Sequence, residues 1–278
     1  GVWGLSRKEA RLGAGGEEYA PGSSGAPVRL QAACGLFVDV RIPVALTTAS
    51  VTLDDGAIRG RPRFLVPNAA GIEYGRFRLD SHSRDGLLAG LPSLGDPLIR
   101  GVGWATLWED VLDGDIAPEV WLERLLVGLA AETVEQNAQR LLQYVRTTFW
   151  RLLSDDARSA VSEEVERALW TGMVNSPGTL KATYFQAWRL VVFSDSGVQR
   201  MRRIWSGDER IPGLRLAETD FIALAEGLAV RGVADGQDIL DQQSARIENP
   251  DRLARFEFVR PSLSEAPLTR ELFFQQLA

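Results

Sequence analysis

The run "DPLIRGVGWATLWEDVLDG", residues 96–114, decides how the chain is read. Apolar residues recur at Leu98, Val102, Ala105, Leu107 and Val111, a spacing near 3.6, and the run stops at Gly114. That pattern predicts an amphipathic helix with Leu98 and Val102 on its apolar face. Upstream the period is two. "VRLQAACGLFVDVRIPVAL" (28–46) places Leu36, Val38 and Val40 on one parity, and "SVTLDDGAIRG" (50–60) has an Asp55–Gly56 turn between extended segments. With "RFLVPN" (63–68) and "VPNAAGIEYGRFRLD" (66–80), five to seven short strands are expected before residue 80.

Downstream, helical periodicity continues without a strand signal. "APEVWLERLLVGLAAET" (117–133) opens with a proline suited to a first turn, and "VEQNAQRLLQYVRTTFWRLL" (134–153) repeats Leu141, Leu142, Val145, Phe149 and Leu152. Further helices are expected at 155–172, 178–193, 195–206, 217–231, 236–246, 250–258 and 266–277. Asn249 before Pro250 reads as a helix cap, and Gly232 after Arg231 as a helix stop. Many short-linked amphipathic helices cannot close into one four-helix core, so they are expected to stack. The fold expected is therefore multidomain: a loop or linker over 1–27, a small antiparallel β-sandwich over 28–80, and an all-α superhelix of the HEAT/armadillo-like α-solenoid kind over 81–278.

Composition excludes several functions. The 278 residues carry a net charge of -6, with acids interspersed among the arginines, which gives no field for nucleic-acid phosphates. No apolar run approaches the roughly 18 residues of a membrane span, so a soluble chain is expected. The one cysteine, Cys34, reads as a small apolar strand residue. The chain begins at Gly1 without a methionine, so any targeting signal would lie upstream; the compartment stays open, with the cytoplasm as the expectation.

His82 is the one histidine, so an HExxH zinc site cannot form from this chain, and no GxSxG accompanies His82 as a nucleophile elbow. It reads as a solvated or capping loop residue. No GxxxxGK[ST] phosphate loop is present. The acidic groups "WED" (108–110), "SDD" (154–156) and "SEEVE" (162–166) read as helix starts or solvated faces.

The aromatic residues offer one binding hypothesis. Helical spacing in "LKATYFQAWRLVV" (180–192) groups Lys181, Tyr184 and Trp188, flanked by Phe185 and Arg189, and "VQRMRRIW" (198–205) adds Arg200, Arg202 and Arg203. Such arginines and aromatics would hold a peptide and its carboxylate, with Tyr184, Arg189, Arg202 and Arg203 as contact residues. The competing reading makes Tyr184, Phe185, Trp188 and Trp205 core, with the arginine stems covering it.

"NAAGIEYGRFRLD" (68–80), Arg100, "LWED" (107–110), "LDGDIAPEVWLERLL" (112–126) and "AAET" (130–133) resemble, in order and spacing, the C-terminal part of the aminopeptidase N family of zinc metallo-aminopeptidases. Glu73 and Gly75 depart from the family's usual glycine and aromatic. The later helices resemble, with less specific motifs, those of bacterial members. The resemblance implies a sandwich followed by a helical domain that caps the active site and selects peptides. The zinc would belong to a preceding catalytic domain of the same polypeptide, the expected partner together with peptide substrates; no metal ligand or cofactor is expected within this chain. Arg76 and Arg100 would be structural residues at the junction. The alternative is a free-standing α-solenoid that binds a protein or peptide.

Overall fold

The structure, a computed structural model, describes the strands Gly4–Ser6, Pro27–Cys34, Val38–Ala45 and Ser50–Thr52, and residues 63–69, 71 and 77–277. The Asp55–Gly56 turn and Arg76 lie outside the described residues. The chain falls into two compact units, 1–145 and 146–278.

In the first unit, β1 (Gly4–Ser6), within the stretch read as a loop, pairs antiparallel with β4 (Ser50–Thr52). β2 (Pro27–Cys34) is the centre of an antiparallel sheet, flanked by β3 (Val38–Ala45) and β5 (Phe64–Val66). Ala32 stands opposite Val40 on one side and Leu65 on the other. After β5 the chain turns at Asn68, whose φ of 57° is left-handed, a conformation that asparagine tolerates better than most residues.

Helices follow. α1 (Ser81–Gly90) is absent from the sequence reading, and His82 lies in its first turn rather than in a loop. Asp80 caps α1 by accepting from the Ser83 N–H at 3.1 Å. Its serines and two glycines carry little helical propensity, and tertiary packing overrides this. At Gly86 a Cβ would stand 2.2 Å from the Arg63 carbonyl, so only glycine lets α1 lie this close to the chain beside β5.

α2 (Pro97–Leu112) and α3 (Pro118–Ala131) follow the periodicity, with one correction in phase. Of the expected apolar positions Leu107 and Val111 are buried, Val102 and Ala105 half-buried and Leu98 exposed, while Ile99 and Trp104 are buried in addition. The helix is apolar on several sides, so period alone left its rotation ambiguous by one residue. Trp104 meets Trp121 edge-on at 5.6 Å, and Trp108 stacks on Tyr144 at 4.7 Å. α4 (Glu135–Thr147) contributes Leu141, Leu142 and Val145 to this core.

The second unit opens with a π turn, Thr148–Leu152, in which the Leu153 N–H reaches the Thr148 carbonyl at 3.1 Å. Arg158 ties this turn down, donating to the carbonyls of Phe149 at 2.8 Å and Leu153 at 3.0 Å. α5 (Asp155–Asn175), α6 (Gly178–Val191), α7 (Asp195–Ser206), α8 (Glu218–Val230), α9 (Gly236–Arg246), α10 (Pro250–Val259) and α11 (Pro267–Gln275) complete it. Asn249 accepts from the Asp251 and Arg252 N–H groups, the cap expected before Pro250, and Gly232 has the left-handed φ of a helix stop. α5 packs along α6, and α8 along α9. Phe185, Trp188, Ile204 and Trp205 are buried there, and the Trp205 indole donates to Gln243 Oε1 at 2.8 Å. Among the described residues no helix is long and apolar enough to cross a membrane.

Candidate functional site

Two polar constellations stand out, one in each unit. In the first unit, Arg100 on α2 forms a two-pronged ion pair with Glu132 at the end of α3, Nε to Oε2 at 3.0 Å and Nη2 to Oε1 at 2.6 Å. Its Nη1 donates to the carbonyls of Leu94 and Gly95. Glu132 also accepts from the Thr133 and Val134 N–H groups and from the Asn137 amide, so one carboxylate joins α2, the end of α3 and the start of α4. Its side chain is 1% exposed. A second cation, Arg84 on α1, pairs with Asp110 at 3.1 Å and Asp115 at 2.8 Å. Asp110, from the "WED" read as solvated, is fully buried.

Burial alone would raise the Glu132 carboxyl. The hydrogen bonds from Arg100 and the Val134 N–H, with the Arg100 charge, outweigh it and hold the group below the ordinary value near 4.5. Asp110 goes the other way: burial raises it, and Arg84 offsets that only in part. A lowered carboxyl contributes stability that is complete above the ordinary value and is lost as pH falls through the folded value; a raised one opposes that loss. Glu132→Gln is therefore expected to flatten the fall in Tm between about pH 6 and pH 3, and Asp110→Asn to steepen it. Thermal melts across that range, read by circular dichroism, check both signs.

In the second unit, α5, α6 and α7 enclose a cleft of about 310 Å³ lined by Glu163, Glu166 and Arg167 of α5, Trp188 of α6, and Ser196, Gly197, Gln199, Arg200 and Arg203 of α7. Glu166, also read from the sequence as solvated, is buried and caps α7. It accepts from the Phe193 N–H at 2.7 Å, the Ser194 N–H at 2.8 Å and the Ser194 hydroxyl at 2.6 Å, while Ser194 Oγ accepts from the Gly197 N–H. A Cβ on Gly197 would lie 2.1 Å from Glu166 Oε2, so the cap requires glycine there. Arg200 stacks over Trp170 at 4.2 Å. Its Nε faces Glu209 Oε1 at 3.0 Å, and Arg203 pairs with Glu209 Oε2 at 3.0 Å, so two guanidinium groups share one carboxylate.

No family model matches the chain, and no curated protein aligns with it significantly.

Of the expected contact residues, Arg203 lines the cleft, together with Trp188 and Arg200 of the same sequence grouping. Tyr184, Arg189 and Arg202 do not line it. Tyr184 is buried, and burial raises its phenol. Arg202 pairs with Asp235. Arg189 is half-buried; burial lowers its guanidinium, and Asp220 and Glu226 partly restore it. Glu163, Glu166 and Arg167 were missed as cleft residues. Glu166 lies three and seven residues before the apolar Leu169 and Met173, both buried, a helical spacing that could have placed it on their inward face. Among the described residues no cluster of His, Cys, Asp or Glu forms a metal site.

Proposed function

We propose that the chain is the non-catalytic C-terminal region of a bacterial zinc aminopeptidase resembling aminopeptidase N. It caps the active site and selects peptides for hydrolysis by a catalytic domain of the same polypeptide. In this reading the two antiparallel sheets are the family's sandwich, and the helices its superhelical domain. The observation that carries the proposal is where the resemblance residues meet: Arg100 pairs with the glutamate of "AAET", and the aspartate of "LWED" pairs with Arg84. Three of the residues that carry the resemblance, Arg100, Asp110 and Glu132, thus take part in the charge pairs that tie α1, α2 and α3 together, which gives their spacing a physical reason. Phe258, Leu268, Leu272 and Phe274, all exposed, give such a cap an apolar surface to present to the catalytic domain. Zinc belongs to that domain in this proposal.

Reading the coding frame upstream of Gly1 tests it. An open frame running back through HExxH and a later glutamate is expected. A start codon directly upstream would overturn the aminopeptidase reading and leave a stand-alone peptide- or protein-binding scaffold.

A further inference from the structure

The cleft between α5, α6 and α7 holds charges of both signs, of which the fold uses only some. Glu166 is fully used in capping α7. Glu163 and Arg167 are exposed one helical turn apart on α5, and neither is ion-paired among the described residues. Arg200 and Arg203 divide the single carboxylate of Glu209 between them, which leaves guanidinium N–H groups on the α7 side in excess of local acceptors. The lining therefore offers one uncommitted carboxylate, guanidinium groups on two facing helices, and the largely buried indole of Trp188.

A simple anion would satisfy the arginines but would be repelled by Glu163; a simple cation would suffer the reverse from Arg167, Arg200 and Arg203. A ligand bearing both charges satisfies both. The geometry points to a site for a small zwitterion, a free amino acid or a dipeptide, with its carboxylate on Arg167 and Arg203 and its ammonium on Glu163. At about 310 Å³ the cleft is at the small end of ligand pockets, which suits one or two residues and not a long chain. This site stands on the cleft alone, independent of the aminopeptidase reading.

Isothermal titration of the chain with free leucine and with alanyl-leucine tests the proposal, beside N-acetyl-alanyl-leucine, alanyl-leucine amide and acetate. Saturable binding of leucine or the dipeptide is expected, and the tighter of the two identifies the ligand. Blocking either terminus should weaken binding by about tenfold or more, because a charge-assisted bond is lost. Arg167→Gln should reduce the penalty for amidation, Arg203 still holding the carboxylate, and Glu163→Gln should remove the penalty for acetylation; both side chains are exposed, so folding should be unaffected. Three results would overturn the site: no saturable heat up to about 10 mM of either ligand, blocked and free dipeptides binding alike, or acetate binding as tightly as the dipeptide.

Discussion

Replacing Arg100 with methionine is expected to lower the free energy of unfolding by about 3–5 kcal/mol, because it strands a buried carboxylate without its partner. Glu132 is 1% exposed and receives two of its bonds from this guanidinium, while the Leu94 and Gly95 carbonyls lose their donor as well. Most of that effect is the penalty of an unpaired charge and not the net strength of the bridge. Adding Glu132→Leu to the methionine variant should therefore recover a large part of it. Recovery will stop short by about 1 kcal/mol, since the Thr133 and Val134 N–H groups lose their acceptor. Urea unfolding of the two single variants and the double variant measures the coupling directly. A methionine variant as stable as the parent would mean that the pair is open to water in solution.

Glu166→Ala is the second large effect, expected at about 2–4 kcal/mol, from two backbone N–H groups left without an acceptor in a partly buried site. The charge matters as well as the bonds. Arg231, which donates to the carbonyls of Arg189, Val192 and Gly227, has its guanidinium pushed down to about 10 by burial, and the Glu166 carboxylate partly counters this. Glu166→Gln keeps an amide oxygen for both N–H groups and can donate to Ser194 Oγ, so its expected loss is only about 1 kcal/mol. A glutamine variant as unstable as the alanine one would assign the stabilisation to charge instead. Chemical denaturation of both variants separates the two.

Periodicity located ten of the eleven described helices within a few residues, and punctuation by proline, asparagine and glycine located several ends, because these are local effects of backbone geometry and capping. What the sequence hid is non-local. α1 lies against the chain beside β5 because Gly86 lets it approach the Arg63 carbonyl, a contact that no propensity scale contains. Asp110 and Glu166 look like other acids of helical faces. Only the arrival of Arg84 in one case, and of the α7 N-terminus in the other, makes burial of those carboxylates tolerable. The candidate site divides in the same way. Arg203 and its neighbours Trp188 and Arg200 were visible as an aromatic and basic grouping, but the α5 wall with Glu163 and Arg167 is brought there by packing. Arg202 turns instead to Asp235, on a segment more than thirty residues away in sequence.

The π turn at 148–152 bears on which length changes the chain tolerates. In an ordinary α-helix, positions five apart differ by about 140° in direction, whereas positions four apart differ by about 40°. Thr148 and Leu153, five apart, are both buried, and the widened turn brings them closer to one face than the 140° of a regular helix would. The segment thus carries one residue more than a regular helix needs to join the same two buried positions. Loss of the codon for the exposed Arg151 would convert the turn to α geometry and keep Leu153 facing inward. The same deletion in the middle of α5 would swing every later side chain of that helix by about 100° and expose its apolar stripe. Natural variants one residue shorter should accordingly have their gap here and not within the neighbouring helices.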